Sequence, residues 1–247
     1  MVSDLQHERE PNRNEPPFQP GSNDASSFDQ QVYQAAYWQQ APASGADPVV
    51  RATQYLGLLR DLSVEPRWIA LAHVADPPGE ALSWIGQHIH RVNQQLNVIL
   101  RDLLECFETV SSPDMQIFAA PIAPQAGVDG FCCDGPSPIE SNFPNGTLRV
   151  GQRPALMGDR SAPITLMVDA GRIVPADWPG LVAHELAHAI ARIPGHGAEF
   201  GRAIAHLCLA QDLPMPSPQL DAEALRYWPP CRHNPQPELF WLGRSAF

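Results

Sequence analysis

Residues 178–200 read WPGLVAHELAHAIARIPGHGAEF, and this stretch decides how the rest of the chain is understood. His184 and His188 stand four apart, so on a helix both imidazoles leave the same face about one turn apart, a spacing that suits two ligands of one metal ion. Val182, Ala183, Leu186, Ala187, Ile190 and Ala191 cover the other faces. That makes the helix a buried one, where two imidazoles and the carboxylate of Glu185 need a purpose. Asp177-Trp178-Pro179-Gly180 supplies a helix start, with Asp177 as N-cap and proline in the first turn, where its missing N–H is harmless. Pro194-Gly195 ends the helix near Ile193.

A catalytic zinc takes three protein ligands and keeps one position open, so a third ligand must exist. His196 is the first candidate, because the reversal at Pro194-Gly195 can swing it back beside the metal. Glu199, His206 and Glu223 compete for that place. Glu185, directly after the first histidine, is positioned to take a proton from a water at the metal and pass it to a leaving amine. Tyr227, His206 and Arg202 are candidates for steadying the oxyanion. A purely structural zinc site would close all four positions and would not call for Glu185. The competing reading is a non-catalytic, zinc-stabilised protein-binding module.

Residues 178–200 resemble the SprT-like zincins, HExxH metallopeptidases in which the motif is followed at short distance by His-Gly-x-x-Phe. The resemblance covers residues 163–212. It implies Zn2+ on His184, His188 and His196, Glu185 as general base, and Phe200 as the packing residue of the motif. It also implies an α+β, zincin-like fold, with a small mixed sheet packed on the active-site helix and an edge strand that takes substrate in extended form. The expected partner is a protein or peptide substrate. This sequence lacks a cysteine zinc ribbon and a basic tail, so a DNA-linked role is not implied.

Outside the motif, three regions are expected: a disordered arm over residues 1–47, a helical segment plus catalytic domain over 48–213, and a proline-rich segment over 214–247. The arm is rich in Pro, Gln, Asn and Ser, a composition that cannot bury enough apolar surface to offset ordering. A short helix over Tyr33 to Gln40 is its alternative. Helical patterns run from Val50 to Leu62 and from Arg67 to Ala75. A longer one starts at Leu82, with Ile85, Ile89, Val92, Leu96, Ile99, Leu103, Cys106 and Val110 forming a heptad-like stripe. That stripe suits core packing first and a dimer through Leu82–Val110 second. Strands are expected at Met115 to Ala119, Gly130 to Cys133, Thr147 to Val150 and Ile164 to Val168, the last as the strand that would pair with substrate. Further helices are expected over Gly197 to Ala210 and Ala222 to Tyr227.

The formal charge of −11 works against nucleic-acid binding, and no apolar run is long enough to span a membrane. Residues 1–20 are polar, without the apolar centre of a secretory leader. A cytoplasmic location is therefore expected, with export by a route independent of a signal peptide left open. The five cysteines are an odd number without a CxxC pair, which favours reduced thiols. Cys231-Arg232-His233 is the one place where a thiol and an imidazole could share a metal.

Overall fold

The computed structural model describes residues 36–71, 79–106, 115–133, 164–192 and 195–245. The chain is mixed α+β. Its principal helices are α1 (Pro48–Leu62), α2 (Gly79–Leu104), α3 (Trp178–Ala191) and α4 (Ala198–Ala210), with single turns α5 (Ala222–Leu225) and α6 (Glu238–Trp241) near the end. Strands β1 (Met115–Ala119), β2 (Gly130–Cys133) and β3 (Ile164–Val168) form one sheet in the order β1-β3-β2. β1 runs parallel to β3 and β2 antiparallel to it, so the sheet is mixed. α3 lies against β2 and β3, and α2 lies between α1, β1 and α3.

β3 is buried along its whole length and paired on both sides. A substrate strand therefore has no free edge there, which corrects the expectation that Ile164–Val168 would receive it. β2 pairs with β3 and, like β3, packs against α3.

Ile85, Ile89, Val92, Leu96, Leu100 and Leu103 of α2 are all buried in the molecule's own core. The stripe drifts to Leu100 where a heptad would continue at Ile99, as an uncoiled helix of 3.6 residues per turn must. Ile99 and Cys106 of the expected stripe are half-buried, and Val110 lies outside the described residues. α1 can approach α2 closely because Gly86 has no side chain; a Cβ there would fall 1.9 Å from the Pro48 carbonyl oxygen.

The arm expected over residues 1–47 is folded in its last part. Trp38 is 4% exposed, its ring stacks near Tyr55 at 4.9 Å, and its carbonyl accepts from Asn93 Nδ2. Asn93 Oδ1 accepts the Ala119 N–H at 2.9 Å, and the Tyr55 hydroxyl donates to the Ala119 carbonyl at 2.7 Å. One buried polar network therefore ties residue 38 to α1, α2 and β1. Arg51 closes the arrangement from α1, with its guanidinium over the rings of Tyr37 and Trp38.

Of the helix expected over Arg67 to Ala75, the described part, residues 67–71, holds only the end of the 3-10 turn Pro66–Trp68. Beyond it the chain is extended, because Ile69 bridges Ile122 and Ala70 donates to the Pro121 carbonyl. Residues 72–78 and the strand expected over Thr147 to Val150 lie outside the described residues. No described helix is long and apolar enough to cross a membrane.

Candidate metal centre

α3 starts after the 3-10 turn Pro175–Asp177 and stops at Arg192, whose φ of 52° is left-handed and whose N–H caps the His188 carbonyl. The Asp177 carboxylate does not cap α3. It accepts three hydrogen bonds from Arg232 instead, one from the backbone N–H and two from the guanidinium. Ile193 and Pro194 lie outside the described residues, but Gly195 at φ 93° makes the turn that carries His196 back.

His184, His188 and His196 come together so that one ligand atom of each lies within 4.8 Å of the others, the one such group of metal-binding side chains among the described residues. His184 Nε2 and His196 Nε2 are 3.3 Å apart. Zinc bound to two imidazoles at about 2.0–2.1 Å in a tetrahedron sets its nitrogens about 3.3–3.4 Å apart, so the spacing fits. His184 Nδ1–H donates to the Trp228 carbonyl at 2.7 Å. That bond fixes the tautomer and leaves the Nε2 lone pair aimed into the cluster. Burial pushes His184 and His188 down to about 4 and also lowers His196, which keeps the rings neutral and free to coordinate. Phe200, fully buried on α4, backs all three rings at centroid distances of 4.6–5.0 Å.

Glu185 is 4% exposed on the neighbouring face of α3, towards β2. Gly130 makes room for it: a Cβ on Gly130 would lie 2.7 Å from Glu185 Oε1. Burial, with the nearby negative charge of Asp129, pushes Glu185 up to about 8.

The other ligand candidates stand apart. Glu199 pairs with Arg202, His206 lies against the Cys106 carbonyl, and exposed Glu223 acts on His196 only through its charge. Of the residues considered for the oxyanion, Arg202 is held by Glu199, His206 faces away, and Tyr227 is 67% exposed with Arg226 over its ring. Cys231 and His233 do not share a site either. Cys231 packs on Gly180 with its thiol towards the Asp177 and Pro229 carbonyls, whereas His233 turns to Asp129. Sequence reasoning missed Gly130, Asp129 and the Trp228 carbonyl. Only a glycine at the head of a short strand hinted at the first, and a backbone carbonyl leaves no trace in a sequence.

Comparison with protein-family models, curated proteins and solved structures returns no match to this chain.

Proposed function

We propose that this chain is a zinc-dependent peptidase of zincin type, as its resemblance to the SprT-like proteins implies. The observation that carries the reading is the convergence of three neutral imidazoles, their ligand atoms within 4.8 Å of one another and those of His184 and His196 3.3 Å apart, beside a buried, otherwise unexplained carboxylate. His184, His188 and His196 would hold the metal through one ring nitrogen each. When bound, zinc supplies a Lewis acid that acidifies water and polarises a carbonyl. Glu185 takes the proton from the attacking water and returns it to the leaving amine nitrogen as the C–N bond breaks, so the carboxylate ends as it began. The Trp228 carbonyl holds His184 in its ligating tautomer.

Elemental analysis of the purified protein, paired with assays on unfolded protein substrates, tests this reading. About one zinc per chain is expected, with loss of the metal in His184→Ala, His188→Ala or His196→Ala. Glu185→Gln should keep zinc and lose about a hundredfold to ten-thousandfold in rate. Wild-type turnover in the zinc-loaded Gln variant would remove Glu185 from the mechanism. Zinc binding with no hydrolysis by either protein would favour the non-catalytic binding module.

A further inference from the structure

Residues 228–232 run back along α3 and touch it at three successive levels. Trp228 presents its carbonyl to His184 Nδ1–H at 2.7 Å. One turn earlier on the same helix face, Gly180 meets Pro229 and Cys231, where an added Cβ would fall 3.0 Å from Pro229 Cγ and 3.0 Å from Cys231 Sγ. At the start of the helix, Asp177 accepts the Arg232 backbone N–H at 2.8 Å and two guanidinium N–H groups at 2.9 Å each. The order of contacts is that of a strap laid antiparallel on the helix that carries His184.

Two features of α3 follow from this strap. Asp177 stands where an N-cap belongs, yet no side chain caps the helix, because its carboxylate is turned to Arg232. Gly180 is a poor helix residue, and the strap occupies the space a side chain would need. The carbonyl on His184 is also held from both directions along the chain. Before it, Trp228 Nε1–H donates to the Pro214 carbonyl at 3.0 Å. After it, the Val174 N–H donates to the Arg232 carbonyl at 3.0 Å and the Asn234 N–H to the Arg172 carbonyl at 2.6 Å.

We propose that Arg232, Asp177 and Gly180 are positioning residues of the metal centre, which hold the Trp228 carbonyl on His184 and so keep the ring proton on Nδ1 and Nε2 open to the metal. The proposal rests on the zinc reading given above. A carbonyl can only accept, so the ring nitrogen facing it must carry the proton. Outer partners of this kind orient a ligating histidine and tune its affinity for the metal. The Arg232 side chain is 71% exposed, and an ion pair that open contributes little to folding, so its loss should reach the metal without unfolding the chain.

The test measures zinc affinity by competition with a chromophoric chelator on full-length wild type, Arg232→Ala and Gly180→Ala. Arg244→Ala is the control, since it breaks another exposed two-point pair, with Glu80 on α2. In the metal-free proteins, two-bond 1H–15N correlations read which nitrogen of His184 carries the proton. Both strap variants should bind zinc about tenfold more weakly, as for loss of an outer partner of a ligating histidine, and should mix the two His184 tautomers. Arg244→Ala should match wild type in both measurements. Wild-type affinity in either strap variant, weaker binding with the proton still wholly on Nδ1, or an equal loss in Arg244→Ala would overturn the assignment while the zinc reading stands. A wild-type protein that takes up no zinc would overturn the zinc reading and this assignment with it.

Discussion

Glu185 and Gly130 must be understood as a pair. A carboxylate buried among alanines and leucines is costly, and here the space for it exists only because β2 begins with a residue that has no side chain. Gly130→Ala would place a methyl group 2.7–2.8 Å from Oε1, Cδ and Cγ of Glu185. Either the carboxylate or the strand has to move. The expected result is a fall in kcat of about tenfold or more, since sub-ångström to 1 Å misplacement of a catalytic group is enough for losses on that scale. Zinc content should be unchanged, because the three atoms nearest the added methyl group all belong to Glu185 and none to an imidazole. Overpacking should also cost about 1–3 kcal/mol in urea unfolding. A variant with normal turnover would show that Glu185 does not need the position it holds. The histidine cluster was legible in the sequence because its spacing is local: His184 and His188 share a helix face, and one turn returns His196. The surroundings of Glu185 were not, since Gly130 and Asp129 lie more than fifty residues upstream. The same separation hid the destinations of Cys231 and His233, whose partners sit on α3 and at the head of β2.

At the scale of elements, the long helix α2 and three of the four expected strands could be found from periodicity and turn residues, because those patterns are set by each segment's own burial. Arg67 to Ala75 misled because helical spacing carries no record of Ile122, whose bridge to Ile69 holds that stretch extended. The N-terminal segment misled for a related reason. Its composition is that of a disordered arm, yet a single tryptophan with buried partners is enough to attach residues 36–47 to the body. Trp38→Ala would remove a side chain that is 4% exposed and leave a cavity beside Tyr55. A loss of about 3–5 kcal/mol in chemical denaturation is expected, the usual range for a buried aromatic. Truncation of residues 1–47 should lose at least as much, since it also removes the acceptor of Asn93 and both rings that Arg51 covers. Unchanged stability of the truncated protein would mean that the network of Tyr55, Asn93 and Ala119 stands without the segment.

For the molecule as a whole, the histidine cluster with Glu185 is a place where the fold buries groups that are costly to bury, and pH should reveal this. In the metal-free protein, burial first and Asp129 second raise Glu185 from an ordinary 4.5 to about 8. A carboxyl group whose folded pKa is raised contributes its full stability below the unfolded value, and that contribution is lost as pH climbs through the folded value. Between about pH 4.5 and pH 8, wild-type stability therefore carries a falling component that Glu185→Gln lacks. The neutral amide has the same shape and cannot ionise. Buried His184 and His188 add the opposite slope, since their folded values near 4 make the unfolded chain take up protons as pH falls below about 6.5. Both proteins share the histidines, so that part cancels in the difference. Urea unfolding of the two metal-free proteins should give near-equal stability at pH 4–5 and a Gln variant more stable by a few kcal/mol at pH 8–9. If the cluster holds zinc as proposed, its positive charge beside the carboxylate would favour the ionised form, and adding zinc should shrink the advantage of the Gln variant. A difference independent of pH would mean that Glu185 titrates in the folded protein as it does in the unfolded chain, solvated and not buried against Gly130.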